Sequence, residues 1–116
     1  MSRRRTVVLG EFGPIFRLGL RSALVEAGCY VIADGAPLEK LHAVLSTASV
    51  EAVILNLDAP LCATGALRLL AEHPGLSVIG CSAERTAMRV FRAGGGVDER
   101  PLTAAALGAA IAEGDG

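Results

Sequence analysis

The sequence predicts an α/β domain built on a doubly wound parallel sheet of five βα units, with all 116 residues in a single domain. Three observations lead there. Short β-branched runs alternate about five times with longer amphipathic stretches, the pattern of successive right-handed βαβ units. Several of the runs, such as Val53-Ile54-Leu55, are apolar throughout, as suits a parallel strand covered on both faces. Hydrophobic residues make up 52% of the chain, enough for a substantial core.

The elements follow in order. A first strand is expected over residues 6–10, and a helix over 14–27, where Pro14 suits the first turn and Gly28 supplies the stop. A second strand at 30–34 precedes a helix at 38–46, and a third strand at 52–57 precedes a helix at 63–72. His73-Pro74-Gly75 ends that helix, because proline restricts the residue before it and donates no backbone hydrogen bond. The fourth strand is placed at 77–82, the fourth helix at 84–93, a short fifth strand at 96–99 and the fifth helix at 103–112. Arg85, Arg89 and Arg92 fall at helical spacing and read as the polar face of the fourth helix, with docking of an acidic partner as the alternative.

Composition narrows the function classes. The net charge is −1, so no basic field covers the domain, and the cluster Arg3-Arg4-Arg5 reads as a solvated flank to the first strand. Aromatic residues are 3% of the chain with no Trp, which leaves few rings to stack on a base or a flavin. Direct nucleic-acid binding is therefore not expected. Cys29, Cys62 and Cys81 lie in no metal or redox spacing and read as small buried apolar residues. With no signal-peptide pattern and no apolar run of spanning length, the expected compartment is the cytoplasm, with no membrane contact. His42 and His73 have no Ser, Cys or Asp at triad-like spacing and read as surface or helix-end residues. Gly94-Gly95-Gly96 lacks the context of a phosphate-binding loop and reads as a tight turn into a short strand.

In a doubly wound sheet, functional groups gather at the C-terminal strand ends. Those ends carry Gly10-Glu11-Phe12, Asn56-Leu57-Asp58, Ser82-Ala83 and Glu99-Arg100-Pro101. Four segments resemble the receiver domains of NarL-type response regulators in two-component systems. Gly13-Pro14-Ile15-Phe16-Arg17-Leu18-Gly19-Leu20-Arg21 is similar to the start of their first helix, and Val53 to Pro60 to their third strand and its loop. Cys81-Ser82-Ala83 resembles the end of the fourth strand, and Arg92-Ala93-Gly94 with Arg100-Pro101-Leu102 the approach to the fifth strand and the loop beyond. The resemblance implies a flavodoxin-like (βα)5 receiver fold and a bacterial signalling role.

It also implies that the phosphorylation chemistry is degenerate. The position that would accept a phosphoryl group is Asn56, a neutral amide without the anionic oxygen for in-line attack. The acidic pair that would hold magnesium is Glu11 and Phe12, one carboxylate and one apolar ring. The lysine before a proline becomes Arg100, and only Ser82 keeps its role in kind. Glu11 and Arg100 are expected to approach each other across the strand ends and cancel. Asp58 reads as a loop residue capping or preceding the third helix.

The fifth helix contains no charged residue over 103–112. With Leu18 of the first helix, Leu107 and Ile111 are expected to expose an apolar patch and form a homodimer interface, the alternative being alanines merely tolerated at a surface. The resulting expectation is a pseudo-receiver: a phosphorylation-independent dimerisation or partner-binding module that regulates transcription through an effector domain, with no enzymatic activity, cofactor or metal. Two alternatives stand beside it: a metabolite sensor using the pocket around Phe12, Asn56, Ser82 and Arg100, and, ranked below it, a small enzyme using Glu11, Ser82 and Arg100.

Overall fold

In a computed structural model, which describes residues 5–47 and 49–113, the chain folds as a six-stranded mixed sheet with helices on both faces. The elements are β1 (Arg5–Leu9), α1 (Pro14–Glu26), β2 (Cys29–Ala33), α2 (Leu38–Thr47), β3 (Ala52–Asn56), α3 (Cys62–Glu72), β4 (Ser77–Ser82), β5 (Ala87–Phe91), β6 (Val97–Pro101) and α4 (Ala104–Glu113). Arg3 and Arg4 lie outside the described residues.

The sheet order is β2-β1-β3-β4-β5-β6. β1 pairs in parallel with β2 and β3, and β3 with β4, whereas β4–β5 and β5–β6 are antiparallel. The expectation of five βα units on a wholly parallel sheet is thereby corrected. The segment expected to be a fourth helix, 84–93, turns back at once from β4 and forms β5. The helical spacing of Arg85, Arg89 and Arg92 is incidental; the governing pattern is the period of two, which sends Met88 and Val90 to one face of the sheet and Arg89 and Phe91 to the other. Gly94 and Gly95 hold φ of +91° and +95°, so residues 92–96 close a hairpin, with Arg92 N–H donating to the Gly96 carbonyl at 2.8 Å.

β6 is an edge strand made unattractive to further pairing by its charges and by Pro101. Across the hairpin, Arg89 faces Glu99 directly, with their charged atoms at 3.8 Å, and Arg92 lies 3.3 Å from Asp98.

Two apolar layers sandwich the sheet. Leu20 and Leu24 of α1 and Leu107, Ala110 and Ile111 of α4 cover Val7, Leu9, Ile54, Ile79 and Met88. On the opposite face Leu41 of α2 and Ala66, Leu69 and Leu70 of α3 cover Val8, Val53, Leu55, Val78 and Phe91. The chain ends α1 as expected, with Gly28 at φ +82°, and His73 caps α3 just ahead of Pro74.

Leu107 and Ile111, expected at an outer surface, are buried in this first layer. The small residues of α4 allow the approach: a Cβ on Gly108 would stand 3.2 Å from that of Ala27, and the buried Ser77 hydroxyl donates to the Ile111 carbonyl at 3.4 Å. The uncharged helix is therefore explained in large part by its packing on α1 and β4. Leu18 alone of the three is exposed.

A second close contact sits at β4. A Cβ on Gly80 would fall 2.5 Å from Cδ2 of Leu57, which folds over the strand beside Phe91. Gly80→Val is expected to destabilise the fold by about 1–3 kcal/mol in urea unfolding, with part of the loss recovered when Leu57→Ala is added. Independent, additive effects of the two substitutions would show that Leu57 does not occupy this space.

Candidate functional site

The parallel strands β1, β3 and β4 deliver three loops to one edge of the sheet, and this edge holds the residues singled out in sequence. Gly10 N–H donates to the Ile54 carbonyl at 2.8 Å, which draws the end of β1 against β3. Beyond it, Nδ2 of Asn56 donates to the backbone carbonyl of Glu11 at 3.1 Å, and Oδ1 of Asn56 accepts the Asp58 N–H at 2.9 Å. The amide thus ties the loop after β1 to the loop after β3.

Asp58 extends the chain of bonds to β4. One of its oxygens accepts the Ser82 hydroxyl at 2.8 Å, and the other accepts the Ala83 N–H at 3.2 Å. Ser82 Oγ in turn accepts the Arg85 N–H at 3.1 Å, inside the four-residue turn between β4 and β5. Ser82 is fully buried. Its hydroxyl is a structural pin at the start of the hairpin. The last residue of that turn, Thr86, holds φ +51°, a left-handed conformation that a β-branched side chain rarely takes. Asp58 lies in the loop preceding α3, as its position in the sequence suggests, and its carboxylate crosses to the neighbouring strand, a role that only the tertiary register reveals.

The structure therefore brings together Asn56, Ser82 and the backbone of Glu11. Phe12 turns away and packs on Phe16, ring centroids 5.5 Å apart, as part of the layer beneath α1 and α4. Arg100 lies on β6, and β5 intervenes between it and β4, a separation of roughly 10 Å from strand spacing alone. Its guanidinium meets Asp98 at 2.7 Å, and among the described residues no ion pair joins it to Glu11. The hydrogen bonds from Arg100, and secondarily from Arg92, hold the Asp98 carboxyl below the usual carboxylate range. The expected cancellation of Glu11 by Arg100 is replaced by a pairing within the hairpin, because the added strand β5 carries Arg100 sideways along the sheet, although it stays level with the end of β4.

The space left at this edge is a cavity of about 70 Å³ bounded by Gly10, Glu11, Ala36, Leu55, Asn56 and Pro60 among others. Cys62 also borders it, yet the three thiols are buried and free, and burial raises the pKa of each, Cys81 to about 12. A reactive thiol needs the opposite shift, so these cysteines serve as small apolar residues. No helix among the described residues is long and apolar enough to cross a membrane.

No family model, curated protein or solved structure matches the chain.

Removal of the Asp58 carboxylate leaves the buried Ser82 hydroxyl without its acceptor. Asp58→Ala is expected to cost about 1–3 kcal/mol in chemical denaturation and to speed amide exchange at residues 83–86 ahead of the rest of the sheet. Unchanged exchange in that turn would remove the crosslinking role assigned to Asp58.

Proposed function

We propose that the chain is a phosphorylation-independent signalling module of the response-regulator type, acting through protein–protein contact and performing no chemistry of its own. The observation that carries this reading is the engagement of Asn56. The residue where the resemblance expects a phosphoryl acceptor is an amide, and both its polar atoms are committed to backbone partners, Nδ2 to the loop after β1 and Oδ1 to its own loop. The Ser82 hydroxyl, which would contact a phosphoryl oxygen, is buried against Asp58. A phosphoryl group would have to displace an interlocked set of bonds without an anionic nucleophile to receive it.

The metabolite-sensing alternative gains little from this edge. Ligand pockets typically enclose about 300–1,000 Å³, well above the 70 Å³ available here. The surface that favours a partner is α1, where Ile15 and Leu18 are 86% and 67% exposed. Ile15 borders an open apolar groove of about 320 Å³ between α1 and the start of α4, lined by Phe16, Leu20 and Leu102 among others, and Leu18 stands exposed on the same helix. A second copy related by a two-fold axis would cover these side chains, and the regulated output would be transcription, as the resemblance implies.

Sedimentation at high micromolar concentration tests both parts together. The reading expects a dimer whose mass is the same with and without acetyl phosphate and magnesium, and which Leu18→Arg converts to monomer. A monomeric chain would overturn the dimer. A dimer that forms only with the phosphodonor would overturn phosphorylation independence.

A further inference from the structure

We propose that His42, Glu72 and His73 form a binding site for a divalent transition metal of the zinc class, clamping α2 to the C-terminal end of α3. His42 lies in the middle of α2, Glu72 is the last residue of α3 and His73 is its cap. One ligand atom from each lies within 4.8 Å of the other two. Nδ1 of His42 stands 3.6 Å from Oε1 of Glu72, and the two imidazoles lie with centroids 5.6 Å apart, tilted by 51° to each other. Tetrahedral zinc with bonds near 2.0–2.2 Å spaces its ligand atoms by roughly 3.3–3.6 Å, so modest side-chain rotations would close the set.

Two further observations fit. Nε2 of His73 is buried and has no hydrogen-bond partner among the described residues, a state that in a folded protein needs an explanation, an ion among them. His42 and Glu72 also border an open groove of about 570 Å³ between α2 and α3, together with Glu39 and Thr64, so an ion would have an entry path.

The donor chemistry selects the metal. Two imidazole nitrogens and one carboxylate suit zinc and its neighbours, whereas magnesium and calcium demand oxygen. Three protein ligands leave a fourth position for water or a partner's side chain. The competing contact is slight: Nε of Arg68 lies 3.9 Å from Glu72, on a side chain that is 79% exposed and easily displaced. The site lies on the α2–α3 face, apart from the strand-end network, and does not depend on the function proposed above.

The test uses the full chain stripped with a chelator and titrated with zinc by calorimetry, with cobalt as a spectroscopic stand-in. The expected result is one saturable equivalent and a raised Tm, weakened at least about tenfold by His42→Ala and by Glu72→Gln. The cobalt complex should show tetrahedral d–d bands without a thiolate charge-transfer band. His42 is 62% exposed, so its replacement leaves the core intact and its effect reports on binding. Absence of saturable binding at millimolar zinc, unchanged affinity in His42→Ala, or a thiolate band placing the metal on the cysteines would each overturn the site.

Discussion

The carboxylate of Asp58 is the point on which the strand-end edge depends. The loops that follow β1, β3 and β4 meet there, and each brings polar groups that need hydrogen-bond partners. Asp58 joins them, its own N–H held by Asn56 and its oxygens accepting from Ser82 and Ala83. Through Ser82 the same network reaches the Arg85 N–H and fixes the reversal of the chain after β4. The hairpin that makes the sheet mixed begins at this reversal. The edge chemistry and the departure from a parallel sheet therefore rest on the same few residues.

Much of the architecture was legible from the residues alone. The first four strands and first three helices match the expected order, because buried parallel strands leave continuous apolar runs and Gly28 and His73-Pro74-Gly75 punctuate the helices. The failure lies in residues 84–93. There, three arginines at helical spacing outweighed the alternation of Met88, Arg89, Val90 and Phe91, although Gly94-Gly95 after such a run is a hairpin signal. The hairpin in place of a fourth helix adds a strand to the sheet, so Arg100, expected beside β4, lies one strand further out, while the last helix keeps its expected place against α1.

The site was legible in its chemistry and less so in its geometry. That Asn56 is neutral follows from its identity, but that its two polar atoms bind different loops depends on register. The absence of charge in the last helix suggests an outward patch, yet a helix packed on both α1 and the sheet has equal reason to lack charge: Leu107 and Ile111 face inward, and Gly108 meets Ala27 closely. Likewise His42 and His73 have no informative spacing in sequence, since α3 must fold back beside α2 before they meet. Short-range pattern reports which groups are present; pairing across elements decides what they can do.

The central claim, that the strand-end site is a closed hydrogen-bonded crosslink and not a phosphorylation switch, is tested most directly by amide NMR of the chain titrated with magnesium and then beryllofluoride, a phosphoryl mimic. The account predicts that the resonances of Glu11, Asn56, Asp58 and Ser82 stay in place throughout. Saturable shifts that start at these residues and spread through residues 83–86 into β5 and β6 would contradict it, and would mean that a working switch survives behind the substitutions.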